Sequence, residues 1–237
     1  YTYFDNKILW RWRVDIMQHF LKGENIGLVI PRLNQEDDCI FISKYIIAHK
    51  LCSAYDSNSI FPLYLYPDEK NKDLFATGLE RTPNLNPEIV KQIAKGLGLT
   101  FSPLTPEGGI TRNATTPPLG AGGLLPIDLL DYIYAVLHSP TYREKYKEFL
   151  KIDFPRVPFP HLVGTGRDLS VQQIQEKFWQ LVKLGGQIRQ IHLLESPIVE
   201  KYITGYPEDG DNVVVKPKYD NGNVYINDTQ YFSNVPE

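Results

Sequence analysis

Basic and aromatic residues alternate in two places along the chain. Residues 8–14 read Ile-Leu-Trp-Arg-Trp-Arg-Val, with Trp10, Trp12 and Val14 in one phase and Arg11 and Arg13 in the other. A period of two predicts a strand with one apolar face and one arginine face. Lys7, Lys22 and Arg32 complete a first basic cluster; Arg143, Lys145, Lys147, Lys151 and Arg156 form a second. Such groups neutralise phosphates, and Arg also pairs bidentately with a guanine edge, as Asn and Gln do with adenine. The first cluster points to nucleic-acid binding, with Arg11, Arg13, Arg32 and Lys44 as the grip and Asn34 and Gln35 as base readers. Arg32 and Asn34 lie two apart near a strand end and can point the same way. Lys44 follows a strand, a place suited to a phosphate contact. The competing arrangement pairs these cations with Asp5, Asp15 and Asp37, or turns them toward a neighbouring domain. In the second cluster Glu144 and Glu148 stand among Lys145 and Lys147, as on a solvated helix face. Arg143, Lys145 and Arg156 are therefore the second choice for DNA contacts.

Other chemistry is poorly represented. His19, His49, His138, His161 and His192 have no metal-ligand spacing and read as core or surface histidines. Gly120-Ala121-Gly122-Gly123 follows no convincing strand and lacks a closing Gly-Lys-Ser/Thr, so it reads as a flexible loop and not a phosphate cradle. Asp68-Glu69-Lys70 faintly resembles a metal-dependent nuclease motif, but no later Glu-x-Lys strand accompanies it. Glu208, Asp209 and Asp211 around Gly210 lack the spacing and final Glu of a calcium loop and read as a turn. No nucleophile–base pairing is visible. The chain is not expected to be a self-contained enzyme, and no catalytic or metal-binding residue is assigned.

The elements that must position these residues follow from periodicity and punctuation. Helices are predicted over 15–22, 86–97, 126–139, 141–150 and 168–192, the last bent at Gly185-Gly186. Asn86 caps the second, and Pro140 ends the third. Strands are predicted over 26–33, 39–43 and 60–66, with Pro31 marking an edge or an end. Asn221-Gly222 between two β-rich runs predicts a hairpin. Residues 104–126, rich in Gly, Pro and Thr, predict an exposed flexible loop. Residues 1–160 form one lobe containing that loop. Residues 161–237, the long helix and the hairpin, belong to the same domain.

Composition narrows the class. The chain has 237 residues, 25 Lys plus Arg against 28 Asp plus Glu, and a net charge of −3, which excludes a histone-like binder but not a local basic face. At 42% hydrophobic residues it can bury a core. No apolar run approaches the ~18 residues of a membrane span. The chain starts without Met and ends at Pro236-Glu237, so it reads as a piece of a longer protein.

Residues 129–160 read Leu-Leu-Asp-Tyr-Ile-Tyr-Ala-Val-Leu-His-Ser-Pro-Thr-Tyr-Arg-Glu-Lys-Tyr-Lys-Glu-Phe-Leu-Lys-Ile-Asp-Phe-Pro-Arg-Val-Pro-Phe-Pro. This run resembles the C-terminal specificity region of type ISP restriction–modification enzymes. Ile26 to Arg32, Phe41 to Lys44, Phe61 to Tyr66, His192 to Pro197 and Val224 to Asn227 agree with it in order. The resemblance implies a target-recognition domain that binds double-stranded DNA and presents an adenine to an upstream methyltransferase domain of the same chain. No Asn-Pro-Pro-Tyr motif occurs here, so catalysis belongs to that upstream part. It implies no cofactor for this chain, with S-adenosylmethionine, ATP and Mg serving the upstream domains. It also implies a cytoplasmic protein without a membrane partner. The expected fold is α+β, like type I specificity subunits: a twisted mixed or antiparallel sheet of early and late strands with packed helices. Two alternatives stay open. One is an inter-domain scaffold module whose helix 168–192 packs on a neighbouring domain. The other is a stand-alone hydrolase resting on Asp68-Glu69-Lys70 alone.

Cys39 and Cys52 have no framework to serve. Both should be reduced in freshly isolated protein. Alkylation in denaturant without reductant should add two adducts by mass spectrometry, and a stable bridge would contradict this.

Overall fold

The computed structural model describes residues 13–33, 39–48, 50–51, 57–67, 81–103, 123–160 and 170–236. Along the chain run α1 (Val14–Met17), a 3-10 turn (Gln18–Phe20), β1 (Gly27–Pro31), β2 (Phe41–Ser43), β3 (Asn58–Pro62), β4 (Tyr64–Leu65) and β5 (Thr82–Pro83). Then come α2 (Pro87–Leu97), α3 (Pro126–Leu137), α4 (Pro140–Leu150), α5 (Val171–His192), β6 (Lys218–Asp220), β7 (Asn223–Tyr225) and β8 (Tyr231–Phe232). Two units are separate: Tyr1–Leu193 and Leu194–Glu237.

The first unit is organised around α3. Every residue of this helix except Ile133 is buried, the pattern of a helix covered on all sides. Pro126 opens it, and the Asp128 carboxylate accepts from the Leu125 amide at 2.8 Å, closing its first turn. Helix α5 packs along it. Gly185 is the closest approach: a Cβ there would lie 1.8 Å from the Asp131 carbonyl oxygen, so only glycine fits. One turn further, Arg189 donates from Nε to Asp131 Oδ1 at 2.6 Å and from Nη2 to Oδ2 at 3.1 Å, and both side chains are 7% exposed. The helix runs unbroken through Gly185-Gly186, and Gly185 serves packing.

The strands β2-β1-β3 form an antiparallel sheet, with Leu28 opposite Ile42 and Phe61. All of β1 is buried. One face carries Leu28 and Ile30, which look across to Leu130, Ile133 and Leu137 of α3. The other is covered near Gly27 by Phe20, whose ring also lies beside Ile60. Pro31 is therefore the end of a central strand and not an edge. Asn25 ties the start of this strand to its surroundings. Its Nδ2 donates to the His19 and Tyr64 carbonyls at 2.9 and 2.7 Å, and its Oδ1 accepts from the Ile26 and Tyr64 amides at 2.9 and 3.1 Å. All four of its hydrogen-bonding positions are used. Helix α2 has the expected ends: Asn86 caps Glu88 and Ile89, and Gly98 closes it at φ 62°.

Several expectations change. The early and late strands do not share a sheet: the described strands form three small antiparallel sheets. The run 60–66 is two strands: the Leu63 amide still keeps the β1 register with the Ile26 carbonyl, but its carbonyl turns to the Asn84 amide at 2.8 Å, and the Asn25 side chain takes both backbone groups of Tyr64. Arg13 and Val14 lie outside any strand, with Val14 opening α1; the rest of that predicted strand lies outside the described residues. At the end of the predicted loop, Leu124 and Leu125 are buried, and Leu124 bridges back to Phe101; residues 104–122 lie outside the described residues. The second unit holds β6-β7-β8. Asn221 and Gly222 both have positive φ, 50° and 81°, giving the hairpin turn that Asn-Gly predicts. The buried Gln230 side chain holds this unit through Tyr206, Asn212 and Asn227.

Breaking the Asp131–Arg189 pair on one side should be severe, because the other charge stays buried. Arg189→Met should destabilise the protein by about 3–5 kcal/mol in urea unfolding, and Asp131→Met/Arg189→Met should recover most of that loss.

Candidate nucleic-acid interface

Arg32 is the first residue beyond the buried strand β1, and its side chain is 67% exposed. Its Nε lies 3.6 Å from Asp153 Oδ1. Asp153 is placed by the end of α4, where its amide donates to the Phe149 carbonyl at 3.3 Å. The next residue, Phe154, meets Phe61 of β3 edge to face, with ring centres 5.9 Å apart at 81°. Along this exit, Arg156 stacks over Phe149 at 5.2 Å, and its carbonyl accepts from Tyr142 Oη at 3.0 Å. Lys151 pairs with Glu148 at 2.8 Å. The fold thus joins Arg32 to Asp153, on the chain segment between Lys151 and Arg156 of the second predicted cluster.

Lys44 sits at the other end of the sheet. Ser43 faces Gly27 in register, so Lys44 lies roughly 20 Å along the strand direction from Arg32 at ~3.4 Å per residue. Ser43 Oγ accepts from the Tyr45 amide at 3.0 Å and donates to its carbonyl at 2.9 Å. This turn holds Tyr45 out from the surface, 76% exposed, next to Lys44. Arg13 pairs with Asp15 at 3.2 Å in the open, the competing arrangement for this residue. The hydrogen bond from Arg13 holds the Asp15 carboxyl below its ordinary range. Arg11, Asn34 and Gln35 lie outside the described residues.

Two further second-cluster cations, Arg143 and Lys145, have structural partners. Arg143 donates from Nε to the Leu137 carbonyl at 2.8 Å, closing the end of α3, and its Nη2 lies 3.0 Å from His138 Nδ1. Lys145 lies over the Tyr146 ring at 5.3 Å. Beside Arg143, Tyr134 Oη and His192 Nδ1 share a 2.5 Å hydrogen bond, and burial raises the Tyr134 phenol above its ordinary value. Asp153, the Phe61–Phe154 pair and Tyr45 were not identified from sequence. The first three meet only through the fold. Tyr45 carried a local signal, a Ser two residues before it, but an exposed Tyr reads like a core one.

Other chemistry stays absent among the described residues. No group of three or more His, Cys, Asp or Glu side chains there could hold a metal. Asp209 and Asp211 accept from the Gly210 and Val213 amides, each at 3.0 Å, as turn residues do. Asp68-Glu69-Lys70 lies outside the described residues. A groove of about 510 Å3 beside Phe61 and Phe154 is apolar apart from Asn84, whose amide donates to the Pro62 carbonyl at 2.9 Å. No described helix is long and apolar enough to cross a membrane.

Residues 1–237 match the model of the Type ISP C-terminal specificity domain family, and the chain belongs to that family. Two solved structures are similar in fold. One is the ATP-dependent Type ISP restriction-modification enzyme LlaBIII bound to DNA, at 18% identity and TM-score 0.53, with 91% of this chain covered. The other is the cryoEM structure of the DrdV–DNA complex, at 19% identity and TM-score 0.52, with 90% covered. The match spans 12% and 18% of those chains. No curated protein matches the chain.

Burial, and then the Arg143 charge, lower the pKa of His192. Below about pH 6.5 the unfolded imidazole takes up a proton that the folded one resists. Stability should therefore fall with pH through that window, and His192→Gln should flatten the dependence in urea unfolding from pH 7 to pH 5.

Proposed function

We propose that this chain recognises a specific sequence in double-stranded DNA as the target-recognition domain of a bacterial restriction–modification enzyme. The observation that carries this reading is the whole-chain match to a specificity-domain family. The geometry supports it with a rigidly founded, exposed Arg32 and with an exposed Tyr45 held beside Lys44. The chain supplies readout and position. Methyl transfer to an adenine turned out of the duplex belongs to an upstream methyltransferase domain. S-adenosylmethionine, ATP and Mg serve upstream domains, and the parent works in the cytoplasm.

On this reading Arg32 contacts a base edge and Lys44 a phosphate. Asn34, Gln35 and Arg11 remain candidates for the same surface, and Arg13 joins it by exchanging Asp15 for a phosphate. Arg143, Lys145 and Arg156 are the second set. The scaffold alternative required α5 to pack on another domain, but α5 buries Phe178, Val182 and Gly185 within the first unit, against α3 at Gly185. One observation still favours an interaction role for the second unit: Val213, Val214 and Val215 are 53%, 59% and 75% exposed in succession.

The test is binding of cognate and scrambled duplexes across a salt series by the full-length protein. Lys44→Ala should weaken all sequences alike and reduce the salt slope by roughly one. Arg32→Ala should lose about 1–3 kcal/mol of discrimination at one base pair. If both variants match the wild type at every salt concentration, the DNA surface lies elsewhere.

A further inference from the structure

We infer that Asp153 is a positioning residue for Arg32, holding the guanidinium by its Nε side so that the terminal Nη1/Nη2 fork reads a guanine edge. The inference rests on the DNA-recognition reading above and deepens it to one base contact.

Both partners stand on fixed ground. Arg32 follows the central strand of the sheet, hydrogen-bonded on both sides and buried throughout. Asp153 is held by the end of α4 and by the Phe154–Phe61 contact that follows it. The shortest contact is between Nε and Oδ1 at 3.6 Å, an ion pair longer than a hydrogen bond, and among the described residues no hydrogen bond engages the two Nη atoms. An ion pair between side chains 67% and 44% exposed adds little stability, so orientation is the effect to look for. An arginine side chain has many rotamers, and a carboxylate that holds the planar head beforehand reduces what is lost when two parallel hydrogen bonds form.

The carboxylate also decides what Arg32 prefers. A lone guanidinium is drawn to any phosphate. One with a carboxylate beside it presents a nearly neutral pair, and that carboxylate repels a phosphate approaching the same spot. The O6 and N7 acceptors of guanine carry no full charge and accept the fork without that repulsion. The pair therefore favours base reading over backbone grip.

The experiment is selection of bound sequences from a randomised 30-base-pair duplex pool by the full-length protein, comparing wild type, Asp153→Asn, Arg32→Lys and the double variant. Asp153→Asn should lower the guanine preference at one position roughly five- to tenfold. It should also tighten binding to a scrambled duplex and leave the thermal unfolding midpoint unchanged. Arg32→Lys should relax the same position, and the double variant should relax it no further. If Arg32→Lys relaxes a position that Asp153→Asn leaves intact, the positioning role is overturned while DNA recognition stands. If Arg32→Lys relaxes no position, Arg32 reads no base and the inference fails. If the wild type enriches no sequence at all, the DNA-recognition reading fails and takes the inference with it.

Discussion

A buried ion pair between two helices sets the frame for the rest of the first unit. Asp131 on α3 and Arg189 on α5 are almost sealed from water and joined by two hydrogen bonds. Such a pair adds little net stability over well-packed apolar side chains. Its effect is on register. Gly185 admits the Asp131 backbone, and shifting α5 by one turn would bring the Cβ of Leu181 or Arg189 against the Asp131 carbonyl and leave two charges buried apart. The contact therefore fixes α5 along α3 and permits no continuum of positions.

From α3 the constraint passes to the surface. One end of the helix runs through His138 and Ser139 into α4, which begins at Pro140 and is capped by Ser139. The exit from α4 carries Asp153 and Phe154 back to the sheet, at Arg32 and Phe61. The same sheet starts from Asn25, whose four hydrogen bonds leave β1 no freedom to shift. Arg32 thus projects from two braced elements rather than from a loose loop. An arginine that must tell one base from another needs such a base, because a displacement of an ångström changes which acceptors its fork can reach.

What could be read beforehand divides along the range of the forces. Asn86 with Pro87 and Asn221-Gly222 are local devices, decided by neighbours two or three residues away, and each lies where its sequence predicts. The run 129–160 carried the family. The sheets were harder, because pairing depends on partners far along the chain. The break at Leu63 depends on Asn84 and on the Asn25 side chain, and nothing in residues 60–66 records it. Asp131 and Arg189 read as ordinary surface charges on amphipathic helices until α5 is seen to lie on α3. Arg32 and Asp153 belong to segments that no periodicity connects, so their ion pair had no sequence signature.

The charge arrangement gives the last step. A net charge of −3 sits awkwardly with tight electrostatic capture of a polyanion. Among the described exposed cations, Arg13, Arg32, Lys151 and Lys218 each face a carboxylate in solvent. Exposed pairs of this kind are worth only about 0–1 kcal/mol, so a phosphate or a base edge can displace or complete them at little cost. If the proposed reading holds, cations paired in this way within the first unit would hold DNA loosely where the fit is wrong and engage where both geometry and hydrogen bonding match. On the proposed reading, the weak overall grip is then a condition for discrimination: a domain that clung to every phosphate would mask the few kcal/mol by which one base pair differs from another.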